Sequence, residues 1–294
     1  MSAETASDLL APASGRRQLT DKVARGLLLT ATAIALVPLV LVIFYLFQKG
    51  LKGATASGFF TSDPTGNFLG DPGGVRSAIF GTLEIVALAS AIAIPAGIGV
   101  ALYLVEFGRK TAFSQAVRYF VDVMTGVPSI VFGLFIYITL VQSGIGGSFA
   151  GWKGAVALSL LMLPTVIRSG EVVLLLVPDA LREAALALGT PRWRVTLKIV
   201  LPTALPGLVT GSLLAVARGM GETAPLLFTS ASVFATTANL GQRMNSLPVQ
   251  IFQDIQQPNS ALNDRAWGSA LALVLLILLI TLIARFIARR SRLA

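Results

Sequence analysis

Cysteine and histidine are both absent from this chain of 294 residues. Their absence excludes disulfides, thiolate or imidazole metal ligands, and every catalytic site that needs a cysteine nucleophile or a histidine base. The phosphate-binding signature G-x-x-x-x-G-K-[ST] is also missing, so the sequence predicts no nucleotide site of that type. We therefore expect neither a metal nor a catalytic residue in this chain.

Charged residues are scarce as well. They make up 13% of the sequence, against about 25% in a typical soluble domain. Hydrophobic residues make up 54%, and the mean hydropathy is +0.78. This composition predicts an all-α membrane protein with several spans. In a membrane protein, the basic residues behind the net charge of +9 indicate which loops face the cytoplasm. We therefore do not expect nucleic acid as a partner.

Long apolar stretches are what the sequence does have, and each of six reaches the ~20 residues that a transmembrane helix requires. Residues 1–20 lack apolar periodicity and predict a disordered tail, which leaves residues 21–294 for the membrane domain. We also expect the apolar piece Leu247–Ile255 to turn back towards the membrane. The six predicted helices cover about residues 26–47, 76–105, 119–141, 152–170, 201–234 and 267–287, with a polar loop over 171–200.

Lysine and arginine are unevenly distributed over this topology. Six spans put both termini on one side, and that side carries sixteen of the twenty-three basic residues. The opposite side carries six, and Arg218 lies inside a span. The positive-inside rule then predicts that both termini and the polar loop 171–200 are cytoplasmic.

The polar loop contains a helix–glycine–helix pattern. Pro178 and Asp179 favour the start of a short helix, and Gly189 suits its C-cap. A second helix is predicted from about Arg192. From Glu183 onward the loop reads EAALALGTPRWRVTLKIVLP.

The spacing E-A-A-x3-G-x9-I-x-L-P within this stretch resembles the EAA loop of ABC importer permeases at every fixed position. The resemblance implies the type I ABC importer permease fold and a short helix that docks on an ATPase subunit. The partner ATPase would bind ATP and Mg²⁺, so this chain would be a permease without a cofactor of its own, and not an enzyme. The coupling residues that the resemblance implies are Glu183, Ala184, Ala185 and Gly189.

One charged pair lies within the fifth predicted span. Arg218 and Glu222 are four residues apart and therefore share a helix face. An arginine near the membrane centre costs about 2.5–3.5 kcal/mol on insertion scales and usually faces a bundle interior or a water-filled pathway. A guanidinium binds a tetrahedral oxyanion through two charge-assisted hydrogen bonds. We interpret Arg218 as an anion-attracting residue that Glu222 holds in the absence of an anion; a structural ion pair at a subunit interface is the alternative.

Two further polar side chains lie in the predicted spans. Ser129 follows the break Gly126–Pro128 in the third helix and is a candidate for the lining of the pathway, although such a break can serve packing alone. Glu84 is an alternative partner for Arg218, or it faces water near the end of the second helix.

Two segments narrow the family. Arg218–Ser230 and Gly126–Gly133 resemble the permeases of the phosphate-specific transport (Pst) system, and the pattern R-x-x-GETAPLLFT resembles PstA subunits more closely than PstC subunits. The resemblance implies a bacterial inner-membrane permease that imports phosphate with a PstC-like permease, two PstB-like ATPases and a PstS-like phosphate-binding protein. It also implies that Arg218 and Glu222 take part in phosphate passage.

Three other functions stay open from the sequence. The chain could belong to an importer of another oxyanion, sulfate or molybdate. It could be an ATP-independent anion channel or secondary transporter, although the predicted docking loop argues against this. It could be an intramembrane enzyme, which without histidine and cysteine would need paired carboxylates or a serine–lysine dyad; Lys153 and Lys198, however, lie at membrane ends.

Overall fold

A computed structural model describes residues 15–67, 69–108 and 111–290 of the chain. Within these residues all regular structure is helical apart from one isolated β-bridge between Pro64 and Gly73. The helices, named α1 to α11 in chain order, span Gly15–Ala54, Arg76–Leu102, Ala112–Gly126, Ser129–Ile136, Gly151–Leu175, Asp179–Ala187, Arg192–Val195, Leu201–Met220, Ala224–Thr229, Leu247–Ile255 and Ser260–Arg290. π-helical turns continue α2, α4 and α7 over Tyr103–Phe107, Tyr137–Val141 and Thr196–Val200.

Five helical stretches in the described part of the chain are long and apolar enough to cross a membrane. A sixth span is present if the bent pair α3 and α4 counts as one. The all-α class is therefore confirmed, and the six predicted spans are matched when that pair is counted once. The cytoplasmic location of the termini stays a prediction.

The first helix is longer than the sequence predicted. α1 begins at Gly15, so the prediction of a disordered tail is wrong for residues 15–20, while residues 1–14 lie outside the described residues. Arginine, glutamine and leucine are good helix formers, which explains how the helix continues through this polar segment. The chain divides after Gln48 into two compact units, and the apolar side chains of α1 in the first unit are exposed, as Leu29 and Val40 illustrate.

The third predicted span consists of two helices. α3 and α4 meet at an angle of 101°, so the prediction of one helix over 119–141 is wrong. Val127 between them is extended, with φ −72° and ψ 129°. Pro128 causes this, because a proline disfavours the α conformation of the residue before it and cannot donate a helical hydrogen bond.

The fifth predicted span is displaced and interrupted. The helix begins at Arg192, runs through the π-turn into α8 and ends at Met220, so the prediction of one helix over 201–234 is wrong. Pro225 has no N–H to donate to the carbonyl of Gly221, so the helical ladder stops there and α9 restarts at Ala224. The second, fourth and sixth predicted spans lie within helical stretches of the structure, apart from small differences at their ends. The predicted apolar piece Leu247–Ile255 is a helix, α10.

The core of the second unit forms where α2, α5 and α8 pack together. Glycines allow this approach, since a Cβ atom added at Gly97 would lie 2.6 Å from Val166 Cγ1, and one at Gly211 would lie 2.5 Å from Ser169 Oγ. α5 is therefore held against α2 on one side and α8 on the other. Leu214 and Arg218 of α8 nevertheless stay exposed.

Candidate functional site

Arg218 lies in the last turn of α8, and Glu222 lies in the break that follows it. Arg218 Nε is 3.5 Å from Glu222 Oε1, which is the outer limit for a hydrogen bond. The side chain of Arg218 is 50% exposed and that of Glu222 is 16% exposed. Arg218 has no other side-chain partner among the described residues, so most of its five N–H donors are available.

The helices that follow the breaks after Gly126 and after Met220 pack against each other. A Cβ atom at Gly133 in α4 would lie 2.7 Å from Pro225 Cα in α9, and the rings of Tyr137 and Phe228 are 6.3 Å apart. The later residue of the first helical stretch, Tyr137, contacts the later residue of the second, Phe228, so α4 and α9 run parallel. Ser129, the first residue of α4, therefore lies towards the same end of the pair as Glu222, which precedes α9.

Glu84 does not pair with Arg218. Its Oε2 atom is buried and accepts no hydrogen bond within the described chain. Of the two partners that the sequence allowed for Arg218, the structure brings Glu222 into contact and leaves Glu84 aside.

The predicted helix–glycine–helix pattern is present between the fourth and fifth predicted spans, and we call it the elbow: α6, Gly189 and α7. α6 follows Pro178 and ends before Gly189, whose φ of +75° is the left-handed conformation that a glycine C-cap adopts at low cost. Glu183 and Ala184 are exposed, whereas Ala185 is buried. Large apolar side chains are exposed around them: Leu181, Leu186, Leu188, Trp193 and Leu197.

Arg182 was not singled out from the sequence, yet it is the most connected side chain of the elbow. Its guanidinium is 9% exposed and lies 2.9 Å from Glu106 Oε1, at the end of α2. It also donates to Asp179 and to the carbonyls of Leu174 and Val177. The partners Arg182 and Glu106 are 76 residues apart in sequence, so no local pattern could have linked them.

A second, partly exposed network links the end of the α2 span to α3 and α5. Glu171 accepts hydrogen bonds from Arg118 Nε at 2.6 Å and from Arg168 Nη1 at 3.1 Å. Arg168 also pairs with Asp122, and Arg118 donates to the carbonyl of Leu104. The two arginines are balanced by two carboxylates, so we assign this network a packing role.

The structure offers no support for a serine–lysine dyad at Lys153. This side chain is fully buried, and its Nζ atom donates to the backbone carbonyls of Leu140, Gly147 and Ser148 at 2.6–3.0 Å. Three carbonyls use all three N–H donors of an ammonium group, so Lys153 fastens the loop after α4. Within the described residues there is also no group of three acidic side chains placed to hold a metal ion.

Comparisons with known proteins give the family. The family model for the binding-protein-dependent transport system inner membrane component matches residues 93–292. The chain is 40% identical over 288 residues to phosphate transport system permease protein PstA 1 of Mycobacterium tuberculosis (strain ATCC 25618 / H37Rv), covering 96% of this chain and 92% of the relative. It is 39% identical over 276 residues to phosphate transport system permease protein PstA of Yersinia pestis, covering 94% and 92%.

Solved structures share the fold at lower identity. A bacterial alginate ABC transporter, in complex with an alginate pentasaccharide-bound periplasmic protein, has a TM-score of 0.64 at 16% identity and covers 95% of this chain and 98% of that chain. An inward-facing MetNI methionine ABC transporter has a TM-score of 0.59 at 22% identity, covering 73% and 95%. The chain is a multi-pass inner-membrane permease subunit, not an enzyme, and it belongs to the family of binding-protein-dependent transport system inner membrane components, among the PstA permease proteins.

Proposed function

We propose that this chain is a subunit of an ATP-driven importer of inorganic phosphate. It forms the pathway with a PstC-like permease, while two PstB-like ATPases bind ATP and Mg²⁺ and a PstS-like protein delivers phosphate. One observation carries the proposal: Arg218 places a half-exposed guanidinium beside a helix break, with a single long contact to Glu222. The names of the relatives supply the expectation of phosphate as the transported anion.

The roles of Arg218 and Glu222 follow from their chemistry. An incoming phosphate accepts two parallel hydrogen bonds from the guanidinium, which are shorter and stronger than the 3.5 Å contact that they replace. Phosphate near neutral pH still carries at least one proton, and the Glu222 carboxylate can accept a hydrogen bond from that hydroxyl group. A fully ionised sulfate has no proton to donate, so the same carboxylate repels it.

Ser129 completes the proposed pathway site. Its hydroxyl group can both donate to and accept from a partly protonated anion. The parallel packing of α4 and α9 supports its place towards Glu222, because Ser129 begins α4 and Glu222 lies in the break just before α9. Movement of either helix break would then alter the anion site.

The elbow is the proposed contact with the ATPase. Glu183 and Ala184 point outward, Ala185 packs inward, and Gly189 permits the turn between the two helices. The exposed Leu188 and Trp193 would be covered by a partner. The excess of basic residues on the side of the elbow supports its location in the cytoplasm, where ATP is available.

The proposal is tested with the complex purified from membranes together with its binding protein. We expect an ATPase to co-purify and phosphate to stimulate ATP hydrolysis, while sulfate and molybdate do not. Stimulation by sulfate or molybdate alone would assign the chain to another oxyanion importer. Anion movement by the isolated chain in vesicles, without any ATPase, would instead support a channel or secondary transporter.

A further inference from the structure

The guanidinium of Arg182 uses every donor that it has. Nε and Nη2 donate to Glu106 Oε1 at 3.1 and 2.9 Å, and the second Nη2 donor reaches the carbonyl of Leu174 at 2.9 Å. The two Nη1 donors bind the carbonyl of Val177 at 2.6 Å and Asp179 Oδ1 at 3.0 Å. All five N–H groups of the arginine are therefore satisfied within the chain.

These partners belong to the ends of two membrane spans. Glu106 lies in the π-turn that ends the span of α2, and Leu174 lies in the last turn of α5. Val177 lies in the link to α6. The last carbonyls of a helix have no partner within the helix, and a cationic side chain stabilises them. One side chain of the elbow thus holds the ends of both spans.

Arg182 and Glu183 are neighbours in α6 with opposite environments. Arg182 is buried against the spans, whereas Glu183 is exposed. Apolar contacts also join the elbow to the spans, through Ala185, Val195 and Val105. Apolar contacts allow sliding because they are non-directional, whereas five hydrogen bonds fix both a distance and an orientation.

We propose that Arg182 and Glu106 form a clasp that transmits movement of the elbow to the span of α2 and, through Leu174, to α5. This inference rests on the proposed contact between the elbow and an ATPase. Arg182 acts as a positioning residue: it touches neither phosphate nor nucleotide. A cavity of about 220 Å³ beside Arg182 and Glu106 leaves space in which the elbow could turn if the clasp were absent.

The first test removes the clasp without leaving a buried charge. The double variant Arg182→Met with Glu106→Leu replaces the ion pair by apolar side chains, a change that folded proteins often tolerate. In proteoliposomes containing the whole complex, we expect ATP hydrolysis within about twofold of the wild type and phosphate imported per ATP lower by at least about fivefold, the low end of typical coupling effects. The matched control is Arg76→Met, which removes an arginine–carboxylate pair with Asp63 at the other end of α2 and should leave the ratio unchanged.

The second test measures movement directly and does not depend on transport. The chain itself has no cysteine, so in a complex whose partner chains also carry none, nitroxide labels can be attached at Phe107→Cys and Ala180→Cys, both at exposed positions outside the residues assigned to the ATPase contact. With the clasp intact, we expect the distance between the labels to stay narrow and unchanged when nucleotide binds. In a Glu106→Gln complex, which keeps the side-chain shape but loses its charge, the distribution should broaden or shift.

The outcomes separate the clasp from the proposed function. A wild-type complex that imports no phosphate would overturn the proposed function. A wild-type complex that imports phosphate, together with a double variant of unchanged phosphate-to-ATP ratio, would overturn the clasp. If the double variant does not assemble, a Glu106→Gln complex with wild-type coupling and an unchanged label distance overturns the clasp.

Discussion

Arg182 at the elbow and Arg218 at the helix break differ in almost every respect except their chemistry. The first is 9% exposed with all donors bound, and the second is 50% exposed with one contact at 3.5 Å. A guanidinium whose donors are all occupied holds a structure together. A guanidinium with free donors in a span is costly unless water or a ligand solvates it, which is the condition of a transport site.

Removal of Arg218 should produce the largest effect on transport. Two charge-assisted hydrogen bonds to phosphate are worth about 1.5–3 kcal/mol each, so Arg218→Ala should lower uptake of radiolabelled phosphate by at least about 100-fold. Arg218→Lys keeps the charge but loses the paired geometry, so uptake should still fall sharply. The complex should assemble normally in both cases. Normal uptake by Arg218→Ala would exclude this residue from the mechanism.

Substitutions on the outward face of the elbow should uncouple ATP hydrolysis from phosphate import and leave the anion site intact. We expect Glu183→Lys to reduce phosphate imported per ATP by about 5- to 150-fold, because it reverses the charge of an exposed residue at the proposed ATPase contact. Gly189→Pro should act similarly, because a proline cannot adopt the φ of +75° that this turn requires.

The measurement is the ratio of phosphate uptake to ATP hydrolysis in proteoliposomes. Binding of phosphate to the complex serves as the control and should be preserved, since Arg218 is untouched. Normal coupling in both variants would contradict the role of the elbow.

Replacement of Glu222 should change selectivity more than rate. Glu222→Gln removes the carboxylate that accepts a hydrogen bond from phosphate and repels sulfate, while it keeps the side-chain size. We expect sulfate to compete with phosphate uptake in this variant about tenfold better than in the wild type, which corresponds to ~1.4 kcal/mol. A variant with unchanged competition by sulfate would show that Glu222 acts only as a structural partner of Arg218.

Substitution of Arg182 should lower the stability of the complex more than substitution of Arg218 does, although Arg218 should matter more for transport. Arg182→Met alone leaves Glu106 buried and unpaired, which should cost about 3–5 kcal/mol. Arg218→Met loses a single 3.5 Å contact between a half-exposed guanidinium and Glu222, so it should change stability by less, about 1 kcal/mol. Thermal unfolding of the detergent-solubilised complex measures both. Equal losses of stability would mean that the two sites do not differ as their burial indicates.

The elbow was predictable from sequence because its signals are local. Pro178 marks the start of α6, and Gly189 marks its end, each within a few residues of the structure that it specifies. The break at Pro128 was also visible, but the break before Pro225 and the angle of 101° between α3 and α4 were not. A proline excludes a straight helix; the direction of the chain afterwards depends on packing between distant segments, as the contact of Gly133 with Pro225 illustrates.

The clasp shows the same limit for side chains. The sequence identified Arg218 because an arginine inside an apolar run is conspicuous. Arg182 lies in a polar loop, where arginines are common and usually exposed. Its burial follows from the meeting of α6 with the ends of α2 and α5, and the end of α2 is distant in sequence, since Glu106 lies 76 residues from Arg182. Local sequence patterns therefore reveal a charged residue inside a membrane span more readily than an ion pair between distant segments.

The exposure of Arg76 lies between those of Arg182 and Arg218, and its ion pair with Asp63 predicts a small effect of pH on stability. It pairs with Asp63 in the loop before α2, where Thr236 also donates to the same carboxylate. Burial alone raises the pKa of Asp63, but the hydrogen bonds from Thr236 and Arg76 outweigh it, so the pKa lies below its ordinary value. The folded state therefore gains stability from this group above the unfolded pKa of about 3.9 and loses it as the pH falls through the lower folded pKa.

Hydrogen exchange of the Asp63–Thr236 region between about pH 5 and 3 measures this loss. We expect exchange protection to decrease with acid in the wild type. Asp63→Asn should be less protected at neutral pH and nearly independent of pH, because an amide does not titrate.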